Sequence, residues 1–214
     1  MANSDKEYWD AFYARSQLTK APSHFARLCA EKYVAPGQIV VEAGCGNGRD
    51  AVALAGTGAS VTAIDQCELS IAELRKAHGT LANLKFVADD FVTYAYPKPL
   101  HVFYSRFTLH SIGASDKKAL LEKVIRALSP GGYTLLEFRG RKNELNGMGR
   151  PVPGEEFMYE YEGHKRRFID GDKVVERLAV AGMEILAYEE KPGFSPFVGK
   201  DETFVRIIAR SPKN

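Results

Sequence analysis

Three sets of residues in this sequence have types and spacing suited to chemistry on a small ligand. The first is the glycine-rich stretch Glu42-Ala43-Gly44-Cys45-Gly46-Asn47-Gly48, which closes the β-branched run Gln38 to Ala43. Glycines there let the chain turn sharply and let a ligand come against main-chain atoms. The second set is acidic. Asp65, followed by Gln66, ends the apolar run Ser60 to Ile64, and Asp89-Asp90, followed by Phe91, ends Leu84 to Ala88. A carboxylate at the end of the second run can accept two hydrogen bonds from vicinal hydroxyls. As lone acids, Asp65 and Asp90 read equally well as helix caps or turn residues. The third set is basic: Arg106, Arg139 and Arg141 follow the next two apolar runs, and Lys165, Arg166 and Arg167 come later. Guanidinium groups converging on a crevice grip carboxylate or phosphate through paired hydrogen bonds, whereas a charge run such as Lys165 usually faces water. His110 titrates near neutrality and is the candidate base, with His164 second; a capping or packed histidine is the alternative. Glu137 either orients an acceptor or pairs with an arginine. Tyr159 and Tyr161 either wall the same pocket or simply pack.

The elements that must position these residues alternate along the chain. Strands are expected over Gln38–Ala43, Ser60–Ile64, Leu84–Ala88, Leu100–Ser105 and Tyr133–Phe138, the last after the turn Pro130-Gly131-Gly132. Helices are expected over Asp50–Ala55, Glu68–Ala77 and Ser115–Leu128, the last with Ser115 as N-cap and Leu120, Leu121, Val124, Ile125 and Leu128 inward. Such alternation predicts a doubly wound α/β domain with a mostly parallel sheet covered on both faces. Near the end, helix Val174–Ala181 precedes strands Glu184–Glu189 and Thr203–Arg210, which have no helix between them and should pair antiparallel. Tyr8–Tyr13 and Ser23–Lys32 read as two helices ahead of the sheet, so that residues 1–33 form an N-terminal lid or packing layer. Gly140 to Phe168 has no clean period, and long irregular segments of this kind are lids, binding loops or disorder. The expectation is one domain, with residues 140–169 as an acceptor-side insertion.

The glycine stretch is not a dinucleotide fingerprint, because its spacing is GxGxG and Arg49 stands where the third glycine would fall. Glu42 before Gly44-Cys45-Gly46-Asn47-Gly48, Asp65 on the second strand end, Asp90-Phe91 on the third and Pro130-Gly131-Gly132 before the fifth together resemble the class I S-adenosylmethionine-dependent methyltransferases. The resemblance covers about Val40 to Phe138. It implies a seven-stranded, Rossmann-like methyltransferase fold with an antiparallel C-terminal hairpin. It also implies that Glu42, Gly44, Cys45, Gly46, Gly48, Asp65 and Gln66 hold S-adenosylmethionine. Asp90, or Asp89 after a one-residue slip, would take the adenine amino group, and Phe91 would cover the ring. Where many members carry an acid near the start of the fourth strand, this chain has His101. The end of that strand is where the family places residues beside the methyl group, so Arg106 suits cofactor or acceptor equally. Arg106, His110 and Glu137 are the catalytic candidates; Arg139, Arg141, Tyr159, Tyr161, His164, Arg166 and Arg167 are those for the acceptor. The segment Tyr8 to Arg15 either packs on the domain or closes over the cofactor, with Arg15 near its carboxylate.

Composition sets the remaining bounds. The chain has 214 residues, 45% of them hydrophobic, and a net charge of +2, too small to argue for nucleic acid or membrane. No apolar run spans a bilayer, and the polar N-terminus has no secretory h-region. Cys29, Cys45 and Cys67 show no metal or disulfide spacing, so no metal is expected and a cytoplasmic setting is. The reading is methylation of oxygen or nitrogen on a small anionic metabolite such as a sugar phosphate, nucleotide sugar or carboxylic acid, by a monomer or homodimer. Its rivals are methylation of RNA or protein, a dinucleotide-dependent oxidoreductase, and a regulatory protein that binds S-adenosylmethionine without catalysis. The first rival lacks an NPPY-type motif and an RNA-binding module, and the second lacks GxGxxG.

Overall fold

The computed structural model describes residues 21–196 and 199–213. The aromatic segment Tyr8 to Arg15 lies outside them. The first described element is helix α1 (His24–Lys32), capped by Ser23, whose side chain accepts from the Ala26 N–H. Five strands and three helices follow: β1 (Ile39–Ala43), α2 (Arg49–Ala55), β2 (Ser60–Asp65), α3 (Glu68–His78), β3 (Leu84–Ala88), β4 (Leu100–Arg106), α4 (Ala114–Ala127) and β5 (Leu128–Phe138). A small antiparallel sheet of β6 (Arg150–Pro151), β7 (Met158–Tyr161) and β8 (His164–Arg167) comes next. Helix α5 (Gly171–Val180) and strands β9 (Glu184–Lys191) and β10 (Phe204–Arg210) complete the chain.

The main sheet has seven strands in the order β3-β2-β1-β4-β5-β10-β9. β1 through β5 pair in parallel, β10 runs antiparallel to β5, and β9 antiparallel to β10. This is the expected doubly wound sheet with its C-terminal hairpin. Both faces are covered because alternate residues of each central strand enter different cores. Val40 and Tyr104 pack with Phe25, Cys29, Leu54 and Ile71 on one side, while Val41 and Phe103 pack with Leu120, Leu121, Val124 and Leu178 on the other.

Three local expectations change. Helix α4 starts one residue early, with Gly113 as its N-cap and no side-chain cap, so Ser115 lies within the first turn. Pro130-Gly131-Gly132 does not end a loop: β5 runs through it with a register shift against β4, and Gly131 donates its N–H to Pro212 O. The insertion after Gly140 is not irregular throughout. Its strands are only two to four residues long, too short for a two-residue period to stand out in sequence.

Candidate active site

The carboxyl ends of β1, β2 and β4, with the chain just before α1 and the segment between β9 and β10, surround a cavity of about 750 Å³. Ligand crevices of open α/β sheets lie at these strand ends, and the volume is ordinary for a small-molecule site. On one side the lining residues are Glu42, Gly44, Cys45, Gly46, Asp65, Gln66 and Phe91. Gly48 is not in the wall; it begins α2.

The glycines are dictated partly by the protein itself. Gly44 has φ +73°, and a Cβ there would lie 2.4 Å from Thr108 Oγ1. Thr108, whose hydroxyl donates to Ala43 O at 2.7 Å, thereby joins the end of β4 to the loop after β1. At Gly48, with φ +72°, a Cβ would strike Leu74 and Phe86. Asp65 organises the same loop: its carboxylate accepts from the Gly46 N–H at 2.9 Å and the Cys67 N–H at 3.0 Å. Glu42 is different. Its Oε2 is buried with no hydrogen-bond partner among the described residues. Burial, then the nearby charge of Asp50, pushes its carboxyl well above the usual range. A buried, partnerless oxygen in the wall of a glycine-lined cavity fits a polar ligand group with a donor to offer.

Asp90 does not line the cavity. Its Oδ1 accepts from the Val92 N–H at 2.8 Å, while Asp89 is exposed and accepts from the Asp90 N–H at 2.7 Å. Phe91, between the Asp90 cap and the core, is the residue of this turn that reaches the cavity wall.

The other side of the cavity is cationic. Arg106, Arg139 and Arg166 line it together, with Phe107, Ser111, Ser195, Lys200, Glu202 and Phe204. Phe107 has φ +60°, rare for a bulky side chain, and is held between the Arg106 guanidinium at 3.9 Å and the Phe204 ring at 4.7 Å. Arg166 and Arg167 are neighbours on β8 and therefore diverge. Arg166 lines the cavity, but Arg167 is buried elsewhere, donating to Ile112 O, Glu156 O and the Glu155 carboxylate. Arg141 lies over the Phe157 ring and lines a separate shallow cleft with Lys142 and Tyr188. Tyr159 packs near Phe168, and neither it nor Tyr161 is in the cavity wall.

Glu137 is spoken for. Its buried carboxylate accepts from Arg106 Nε at 2.9 Å, Ser195 Oγ at 2.8 Å and Arg206 Nε at 2.5 Å. Of the two sequence readings, pairing with arginine describes this geometry. His110 lies in a 3-10 turn (Leu109–Ser111) and is buried, its Nδ1 accepting the Arg139 N–H at 3.2 Å. Burial, then the Arg139 guanidinium, lowers its pKa well below the ordinary value. The neutral ring thus carries its proton on Nε2, which makes that nitrogen a donor rather than a base. Neither His110 nor His164 is among the cavity-lining residues. The pKa of His164 falls to about 3 through burial and the charge of Arg166. His101, where the family often has an acid, accepts the Ile39 N–H at 3.0 Å and closes the start of the sheet.

Several contributors have weak or no sequence signals. Asp50 accepts from Ser23 N–H, Ser23 Oγ and Tyr104 OH, each at 2.8 Å, and so docks the chain ahead of α1 against the start of α2. Ser23 is readable as a cap and Asp50 as an acid in a first helical turn, but not as partners 27 residues apart. Ser195 and Glu202 come from a glycine- and proline-rich loop without periodicity.

A glycine-turned loop after β1, an acid at the end of β2, and a cavity across a seven-stranded sheet with an antiparallel β9–β10 hairpin are features of the Rossmann-like fold of class I, S-adenosylmethionine-dependent methyltransferases. Residues 40–132 match the family model described as a methyltransferase domain. No curated protein matches the chain by sequence. Among solved structures it is similar to the [4+2]-cyclase SpnF, with 16% identity, TM-score 0.74 and coverage of 98% of this chain and 95% of the other. It is also similar to a Burkholderia thailandensis 1,6-didemethyltoxoflavin-N1-methyltransferase with bound 1,6-didemethyltoxoflavin and S-adenosylhomocysteine, at 18% identity, TM-score 0.72 and coverage of 98% and 88%. The glycopeptide N-methyltransferase MtfA, complexed with S-adenosylmethionine, matches at 21% identity and TM-score 0.66 over 94% and 90%. At these identities the likeness is one of fold. Among the described residues, no helix is long and apolar enough to cross a membrane.

Proposed function

We propose that this methyltransferase acts on a small anionic metabolite such as a sugar phosphate, a nucleotide sugar or a carboxylic acid. One observation carries the reading: Arg106, Arg139 and Arg166 line the same cavity as the glycine loop. S-adenosylmethionine supplies a methyl group on a positively charged sulfur. Glu42, Gly44, Cys45, Gly46, Asp65, Gln66 and Phe91, on one wall of the cavity, would hold it. The protein's remaining work is alignment of nucleophile and methyl carbon, which supplies much of the rate in a displacement. A base is needed only for an acceptor that carries a proton. An acceptor that arrives ionised suits a cavity whose arginines bind anions and whose neighbouring histidines are held neutral.

The test is incubation with S-adenosylmethionine and a panel of phosphorylated sugars, nucleotide sugars, carboxylic acids, neutral alcohols and amines, read by mass gain of one methyl group. Product is expected from an anionic class. Arg139→Lys should raise the Michaelis constant of that acceptor with cofactor affinity nearly constant, since lysine loses the forked geometry. Methylation confined to neutral alcohols or amines would overturn the reading.

A further inference from the structure

The cavity arginines are not held alike. Arg106 is tied to Glu137, a carboxylate 1% exposed that also receives Arg206 and Ser195. With three donors at the buried end of β5, that carboxylate is fixed. The partner of Arg139 is less buried and less fully bonded. Its Nη1 meets the Glu202 carboxylate and donates to Asn143 Oδ1 at 2.9 Å. Glu202 stands in the segment ahead of β10, is itself part of the cavity wall, and among the described residues has one further hydrogen bond, from Asn143 Nδ2 at 3.4 Å. An anion approaching Arg139 therefore meets a negative charge already in place.

We propose that Glu202 is the built-in counter-ion of the acceptor pocket, and that the acceptor's oxyanion takes its place on Arg139. The inference rests on the anionic-acceptor reading and goes beyond it by assigning a residue that sets selectivity. A neutral hydroxyl or amide cannot displace a carboxylate from a guanidinium, so the resident charge excludes uncharged analogues. Selectivity of this kind comes from a built-in competitor as much as from new attraction. It also keeps a partly buried guanidinium paired while the pocket is empty, which avoids the cost of an uncompensated charge. The shared chemistry of the ligand is an oxyanion, either a carboxylate or a phosphate.

Calorimetry on the full chain saturated with S-adenosylhomocysteine provides the test, with inorganic phosphate as one probe and acetate as the other, at constant ionic strength because screening would mimic competition. Glu202→Gln should bind its preferred probe about tenfold more tightly than the wild type, with Glu202→Ala as a second variant giving a gain of similar size. Arg139→Lys should bind it more weakly, and S-adenosylhomocysteine affinity should be unchanged in all of them, which also shows that they fold. A gain for phosphate alone identifies a phosphate-bearing acceptor, and a gain for acetate alone a carboxylate. If neither Glu202 variant binds more tightly while Arg139→Lys weakens binding, the counter-ion role is wrong and the anionic-acceptor reading stands. If anion binding is insensitive to Glu202 and Arg139 alike, or absent throughout, both fall.

Discussion

Asp65 shapes the loop, and on the proposed function it also holds the cofactor, two roles that substitutions can separate. Its carboxylate holds the Gly46 and Cys67 N–H groups, and it also lines the cavity, where the proposed role is to accept hydrogen bonds from the cofactor's ribose. Asp65→Ala should weaken binding of S-adenosylhomocysteine by roughly 1.5–3 kcal/mol, the range for hydrogen bonds to a charged group, and should lower the melting temperature as well. Asp65→Asn keeps one acceptor oxygen for one of these N–H groups and sets an amide NH2 against the other, so it should recover only part of the stability and little of the affinity. Calorimetry and thermal melts on the two variants decide it. Unchanged affinity in both would leave Asp65 as a cap alone. Glu42 sits on the same wall but offers a buried oxygen with no partner. The two acids therefore differ in kind: one shapes the loop while facing the cavity, the other waits for a donor.

At the scale of elements, the close approach of β4 to the loop after β1 explains the first glycine. Thr108 occupies the space a side chain at position 44 would need, and the backbone there is left-handed. Gly44→Ala should cost about 1–3 kcal/mol from overpacking, with a further penalty from the positive φ. In a Thr108→Ala background the same change should cost less, because the two closest atoms are removed, leaving the Cβ of residue 108 at 3.2 Å and the strain of φ. Urea denaturation of the four proteins in this cycle measures the coupling. Additive costs would show that Thr108 is not what demands the glycine. The insertion obeys similar logic: Arg167 fastens β8 to the turn after β4 through Ile112 O, and that anchoring leaves its neighbour Arg166 at the cavity.

Across the whole molecule, buried histidines couple stability to pH. His164 has its pKa lowered to about 3, against an unfolded value near 6.5. Because the folded value is the lower one, the folded state excludes a proton that the unfolded chain takes up. The associated stability is present above about pH 6.5 and is lost as pH falls toward 3. At pH 5 the loss is about 2 kcal/mol for this one group. His110 is shifted in the same direction, chiefly by burial. Glu42 is shifted upward, so its contribution is present at low pH and fades as pH rises through its folded value. Urea melts at pH 7 and pH 5 should show the wild type losing about 2 kcal/mol more than His164→Asn. Equal losses would mean that His164 is charged in the folded protein.

The sheet, its order of strands and helices, and the glycine loop with its acids at strand ends were readable from the chain alone. They rest on patterns repeating every two to four residues or on neighbours in sequence, and the physics behind them is equally local: alternate burial on two faces, a turn that needs glycine, an acid where a strand stops. The acceptor side was readable only as a collection of residue types. Arg166 and Arg167 are indistinguishable by composition until the register of β8 sends them to opposite faces. His110 looks like a base until burial and the Arg139 N–H occupy it. Glu137 and Arg206 meet across 69 residues, and Arg139 and Glu202 across 63. Which charge is paired, and which faces the cavity, depends on distances that only the packed chain establishes.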